Sequence, residues 1–380
     1  MSEMNVSPMN GISVIIPCAG RVRLLESLLQ TVQCARARFP HPSETILLDN
    51  SNTSDQESIR KLAAAYDAAY YQGSHNISQK RNKGVELAAY DLILFLDSDC
   101  IVDEYILSEH FNSYKAANTG SCLGLLLFTG KDTTTWLSVE RTGVLSCFSL
   151  AAEQDETNWG PTANISFRRN AFLEIGGFDP AFSRPGGEDV DIGFRLTEAG
   201  WRMCCNQKAL AYHTKETWSS FWQVYERFLR YGAADALLIK KHTSRTITDF
   251  PMSTQYFVLL VTFSILCIPA YGSWSMLLPL LWMCITLVVY PLLPGKQKSQ
   301  NLKESWFVRA LELVLFTALD FGRLLGGIKY REKRAFYTRI IFFDEQLSLD
   351  WPGVVRSGFA STVSLFLTLL LFQLLIALIF

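Results

Sequence analysis

The stretch LILFLDSDC (Leu92–Cys100) decides how this chain is read. Five apolar residues in a row describe a strand buried on both faces, the mark of a parallel sheet covered by helices. The strand runs straight into Asp97 and Asp99, with Ser98 between them. Residues i and i+2 of an extended chain project to the same side, so the two carboxylates converge and repel unless a cation joins them. The competing explanation is a helix N-cap, with Asp99 or Asp103 capping the DEYILSEHF that follows.

The surrounding segments place this strand in an α/β domain. ISVIIP (Ile12–Pro17) and ETILLDN (Glu44–Asn50) are further apolar strands, and RLLESLLQTVQCARARF, DQESIRKLAAAYDAA and QKRNKGVELAA carry helical periodicity between them. Strands alternating with helices imply a mostly parallel, Rossmann-like sheet whose ligands gather at the carboxyl ends of the strands. Asp49, Asp97 and Asp99 all lie at such ends. CLGLLLF, NISFRR and ALAYH read as later strands, AFLEIGGFD as a short helix closed by glycines, and PGGEDVDIGFRLTEAGW as a glycine turn opening an acidic helix. FWQVYERFLRYGAADALLIKKH is a long helix.

Composition bounds the function. The chain has 380 residues, and 35 Lys+Arg against 36 Asp+Glu leave a net charge of −1, which gives no footprint for nucleic acid. Nine cysteines contain no CxxC pair and Cys204 adjoins Cys205, a pattern of reduced, mostly buried thiols. The N-terminal MSEMNVSPMNG has no basic flank and apolar core, so no secretory signal is read and the first domain is expected in the cytosol. Asn52, Asn76 and Asn164 then head N-x-S/T sites that stay unused.

The apolar excess, 49% with a mean hydropathy of +0.14, is concentrated near the C-terminus. Pro251–Gly295 has no charged residue and a turn-like AYGSWS near its middle; Ser361–Phe380 is likewise uncharged. The expectation is a domain over 1–245 and a membrane region over 246–380, with spans at about 254–272, 275–293 and 360–380. Lys240, Lys241 and Arg245 before the first pair, and Lys296, Lys298 and Lys303 after it, place both flanks on the cytoplasmic side. Between 305 and 327, Arg309, Glu312, Asp320 and Arg323 fall in one stripe at about 100° per residue, which describes an amphipathic interfacial helix or, alternatively, a buried span.

In order, SVIIP, LLDNSNTSD, QKRNKG, FLDSDC, GGFDPAF, GGEDVDIGFRL and FLRYG resemble the family 2 glycosyltransferases, which have the GT-A fold. The likeness spans residues 12–232. It implies sugar transfer from a nucleotide-sugar donor, UDP being the likelier carrier, with Mg²⁺ or Mn²⁺ offsetting charge on the leaving diphosphate. Asp99 would bind that ion, Asp97 would hold the ribose or share the ion, and His213 would be a further ligand. Asp49 and Arg81 match positions beside the base, and Pro17 and Ser98 fall among the donor contacts. Asp189 of the Glu188-Asp189 pair would be the general base, Glu188 orienting the acceptor. Asp191, about 200° around the helix from Asp189, should face elsewhere. Arg227 and Arg230 suit a diphosphate or anionic lipid headgroups.

Two departures from the family pattern narrow the reading. RFLRY stands where processive synthases carry QxxRW, and CAGR stands where the family has a TYNR-like turn, so no role is assigned to Cys18 or Gly20. The expectation is therefore single-sugar transfer to a lipid or lipid-linked glycan at the cell membrane by a multi-pass protein. Weighed against it are a processive polysaccharide synthase, a haloacid-dehalogenase-type phosphatase, which wants Thr or Val where Ile101 stands, and a non-catalytic scaffold.

Overall fold

The strand–helix alternation is realised in the computed structural model, which describes residues 9–248, 253–293, 305–343 and 352–379. β1 (Ile12–Cys18), β2 (Ser43–Asp49), β3 (Ala69–Gln72) and β4 (Leu92–Leu96) are joined by α1 (Val22–Arg38), α2 (Thr53–Ala65) and α3 (Ile77–Leu87). There follow β5 (Cys100–Val102), α4 (Ile106–Asn112), β6 (Thr119–Thr129), α5 (Thr134–Thr142), β7 (Asn164–Arg168), α6 (Arg169–Glu174), α7 (Glu188–Glu198) and β8 (Arg202–Thr214). One eight-stranded sheet runs β3-β2-β1-β4-β7-β6-β8-β5. β1 to β4 pair in parallel, β7 is antiparallel to both β4 and β6, and β5 is antiparallel to β8.

This is the Rossmann-like, mostly parallel α/β arrangement expected of a GT-A domain. All of β1 and β4 is buried, which is why neither strand shows polar alternation. The strand order switches between β1 and β4, since β2 and β3 lie on the other side of β1; ligands of open α/β sheets bind at such a switch point, and Asp97 follows the carboxyl end of β4 there. β3 has no apolar run because it is an edge strand, three of its four residues being exposed. The capping explanation for Asp99 fails: residues Cys100–Val102 form β5, and it is Asp103 that accepts the Tyr105 amide at 2.9 Å.

The chain divides into two compact units. The first takes residues up to Lys131 and Ser146–Thr217, and so holds the whole sheet; the second takes Asp132–Leu145 and residues from Trp218 onward. In the second lie α8 (Phe221–Lys241), a ribbon of β9 (Thr246–Thr248) and β10 (Thr338–Ile340), α9 (Ser253–Tyr271), α10 (Leu278–Leu292), α11 (Trp306–Tyr330) and α12 (Pro352–Ile379). The expectations placed on residues 1–8, on Pro251, and on Lys296, Lys298 and Lys303 lie outside the described residues.

Among the described residues, Ser253–Leu292 is the one helical stretch long and apolar enough to cross a membrane, with a mean hydropathy of 2.0; Phe359–Leu375 is a shorter apolar helix. A turn at Gly272 breaks the long stretch, and the Ser275 hydroxyl donates to the Ser264 carbonyl at 2.8 Å across it. In this unit polar side chains are buried beside apolar ones, and large apolar side chains are exposed. Glu312, Ser361 and Thr368 are fully buried, while Leu266 is 73% and Phe366 69% exposed. The charged stripe of α11 faces inward: Glu312 accepts from Arg141 of α5 at 2.9 Å, and Arg323 reaches Asp235 of α8 at 3.0 Å and Asp320 at 3.2 Å.

α8 and α11 approach through glycines. A Cβ at Gly232 would collide with the Leu319 carbonyl, one at Gly322 with the Leu229 carbonyl, and one at Gly326 would come within 2.6 Å of the Ala233 carbonyl. Gly322 and Gly326 are thus a small-xxx-small pair whose worth is backbone proximity. Gly322→Leu should force these helices apart and lower unfolding stability by about 3 kcal/mol or more. Thermal unfolding of the detergent-solubilised chain checks it, an unchanged midpoint contradicting this packing.

Candidate active site

Two acids follow β4, and each is held by a different arginine. Asp99 is 6% exposed; its Oδ2 accepts from Arg21 Nη1 at 2.7 Å and its Oδ1 lies 3.3 Å from His213 Nε2. Asp97, half-buried, faces Arg81 Nη2 at 3.5 Å. Enclosure by the protein pushes the Asp97 carboxyl above its usual range, Arg81 opposing and Asp99 adding to the rise.

His213 reaches this point because β8 pairs with β5, setting His213 opposite Cys100. Its Nδ1 lies 3.0 Å from the Thr214 carbonyl, which assigns the ring proton of the neutral form to Nδ1 and turns the Nε2 lone pair toward Asp99. Two acceptors facing each other call for a cation, and carboxylate with imidazole is a donor set that suits Mn²⁺. Cys100 belongs to the same cluster, the ligand atoms of Asp99, Cys100 and His213 lying within 4.8 Å of one another. Burial and then the Asp99 charge hold its thiol well above the usual range.

The second pair of acids comes from α7. Gly186 and Gly187 take φ of 125° and 89°, turning the chain tightly enough to set Glu188 and Asp189 at the helix start, and Glu188 Oε2 accepts the Gly186 amide at 2.6 Å. Glu188 Oε1 accepts from Arg81 Nη1 at 2.6 Å, both side chains being nearly fully buried. Arg81 therefore bridges the acid pair after β4 and the acid pair of α7, and its guanidinium also covers the Phe178 ring at 5.4 Å. Enclosure and then the Glu188 charge push Asp189 up to about 7, against the pull of Arg81. Asp191 faces elsewhere: fully buried, it accepts from Arg195 Nε at 2.9 Å and Nη2 at 2.7 Å.

Asp49 ends β2 and is fully buried. Its Oδ1 accepts the Ser51 amide at 2.9 Å and the Ser51 hydroxyl, and its Oδ2 accepts the Tyr70 hydroxyl at 2.9 Å. Pro17 lies in β1 beside Leu48, and Ser98 is buried between the two acids. Arg227 and Arg230 sit on α8, in the second unit, Arg227 over the Trp218 ring at 3.9 Å.

Three contributors had no weight in the sequence. Arg21 ends the CAGR turn in a left-handed conformation, φ 56°, and places its guanidinium on Asp99. Lys80, buried beside the expected Arg81, donates to the Cys18 carbonyl at 3.0 Å and to Asn50 Oδ1, and burial lowers it to about 8. Phe148 stands edge-on to His213 at 6.1 Å. A charged residue in the turn after β1 was the available signal for Arg21, since ligands gather at that end of the sheet; the other two depend on tertiary contact.

Residues 8–234 match the model described as glycosyltransferase-like family 2. A glucosyl-dolichyl phosphate glucuronosyltransferase of Haloferax volcanii is 24% identical over 243 residues, 57% of this chain and 76% of that protein. A poly-beta-1,6-N-acetyl-D-glucosamine synthase of Staphylococcus aureus is 22% identical over 281 residues, 68% of this chain and 63% of that protein. A mannosyltransferase from Pyrobaculum calidifontis, solved with GDP-mannose and Mn²⁺, overlays with a TM-score of 0.47 at 13% identity, covering 95% of this chain and 90% of that one.

Removing the shared guanidinium leaves Glu188 buried without its ion pair, a change that costs about 3–5 kcal/mol. Arg81→Met should lose that much in equilibrium unfolding by urea, and a loss under about 1 kcal/mol would show that the bridge does not hold the site together.

Proposed function

The chain belongs to the glycosyltransferase-like family 2 and is a glycosyltransferase; from that premise we propose that it moves a single sugar from a nucleotide-sugar donor to a lipid or lipid-linked glycan, with inversion at the anomeric carbon. The observation that carries the reading is the Arg81 bridge, which brings the Asp97–Asp99 pair and the Glu188–Asp189 pair to one guanidinium. Asp99, Asp97 and His213 hold the cation, Mg²⁺ or Mn²⁺, which when bound offsets the charge of the departing diphosphate.

Asp189 takes the proton of the acceptor hydroxyl, and a carboxyl raised to about 7 is well matched to that task near neutral pH. Glu188, fixed by Arg81 and the Gly186 amide, orients the acceptor. Arg81, Asp49, Pro17 and Ser98 line the donor side, and Arg227 and Arg230 serve the diphosphate or anionic headgroups. UDP is the carrier on family grounds. The lipid-linked acceptor is supported by the exposed apolar side chains and the apolar helical stretch of the second unit and by the first relative, whose name gives it a glucosyl-dolichyl phosphate. In this reading residues up to 245 form a cytosolic catalytic part, and 246–380 form the membrane part with several crossings.

The membership replaces the phosphatase alternative. A processive synthase keeps a claim through the Staphylococcus aureus relatives, and the length of the product decides between them. Release of UDP from UDP-sugars by the full chain in detergent, with lipid phosphates and Mn²⁺ or Mg²⁺, is the assay. Asp189→Asn should lower kcat by about 10³-fold while leaving UDP affinity within about threefold. The base acts unprotonated, so wild-type kcat/KM should fall as pH drops below about 7. A fully active Asn variant, or activity that rises on acidification, sinks the assignment of Asp189.

A further inference from the structure

Asp97, Asp99, Glu188 and Asp189 set four carboxyl groups against two guanidinium groups, those of Arg21 and Arg81. The two arginines are held differently. Arg81 is 3% exposed and locked between partners, whereas the Arg21 side chain is 44% exposed and reaches Asp99 from a turn. The first turn of α1, directly after it, is tethered near the end of β8, since Arg23 pairs with Glu216, both exposed. Asp99 has both oxygens committed, Oδ2 to Arg21 and Oδ1 to His213, so an ion arriving at this carboxylate meets a resident positive charge.

Resting on the reading of Asp99 as a cation ligand, we infer that Arg21 is an exchangeable counter-ion. It neutralises Asp99 until the metal–nucleotide complex arrives, then gives up the carboxylate and pairs with the diphosphate that the cation brings. The exchange conserves charge pairing. Asp99 passes from a guanidinium to a divalent ion, and the guanidinium passes from a carboxylate to phosphate oxygens, for which its planar fork is suited. No bond is made or broken, and the consequence is selectivity: the bare ion competes against Arg21 alone, whereas the ion bound to a nucleoside diphosphate supplies Arg21 with a new partner. Arg21 thus contacts the donor directly in this scheme, and the CAGR turn acquires a function through its arginine.

The experiment is binding, not turnover. Mn²⁺ is titrated by electron paramagnetic resonance into the full chain in detergent, with and without UDP, using wild type, Arg21→Gln, Arg21→Asn, Arg21→Lys and Asp99→Asn. Asn tolerates the left-handed backbone of residue 21 well, so one of the two neutral variants keeps the fold, as circular dichroism melts report. Each folded neutral variant should bind bare Mn²⁺ about tenfold more tightly than wild type, and UDP at saturating Mn²⁺ about tenfold more weakly, with Arg21→Lys close to wild type. Unchanged or weaker binding of bare Mn²⁺ in a folded neutral variant, with Asp99→Asn losing the ion, overturns the counter-ion and leaves the cation site standing. Absence of bound Mn²⁺ in wild type even with UDP overturns the cation site, and the counter-ion with it.

Discussion

The guanidinium of Arg81 stands between acids that would otherwise repel one another. It lies 2.6 Å from Glu188 and 3.5 Å from Asp97, almost fully out of water, where Coulomb attraction is strong and an unpaired charge is costly. α3 delivers the arginine, β4 one pair of acids and α7 the other. The contact with Glu188 joins residues 107 positions apart in the chain, so the site exists only once the sheet has assembled.

The sheet explains why those positions can meet. β1 to β4 run in parallel, and their carboxyl ends form one edge on which Cys18, Asp49 and Asp97 lie in turn. The order switches between β1 and β4, the place at the carboxyl edge of such a sheet where ligands gather, and β7 pairs antiparallel on the far side of β4. β8 closes the other side and carries His213 to Asp99 by its pairing with β5. Asp97 and Asp99 sit in the short turn between β4 and β5, held at both ends by strand pairing, while His213 is set within β8 itself.

The second unit obeys a different rule. Its helices bury hydroxyls and charges such as Ser361, Thr368 and Glu312 alongside Leu260 and Leu315, leave Leu266 and Phe366 exposed, and α8 meets α11 through Gly232, Gly322 and Gly326 with backbone against backbone. Hydrogen bonds, ion pairs and close backbone contact join the apolar clusters of Tyr256, Leu260 and Trp282 and of Tyr290, Leu313 and Ala360 in holding that interior. Glu312 and Arg323, read along the sequence as part of a polar helix face, are interior partners of Arg141 and Asp235. A helical stripe reports which residues share a face and leaves open what that face touches.

By itself the sequence determined the alternation of strands and helices, the acids at strand ends, the glycine turn before Glu188 and the apolar stretches near the C-terminus, because each is written in local periodicity or turn chemistry. The pairing of Arg81 with Glu188, the closure of Asp49 by Ser51 and Tyr70, the reach of Arg21 to Asp99 and the inward turn of the α11 stripe were decided only by tertiary structure. The reason is physical. Local patterns follow from the geometry of one element, whereas the partner of a charged side chain depends on which distant elements the sheet and the glycine contacts bring beside it.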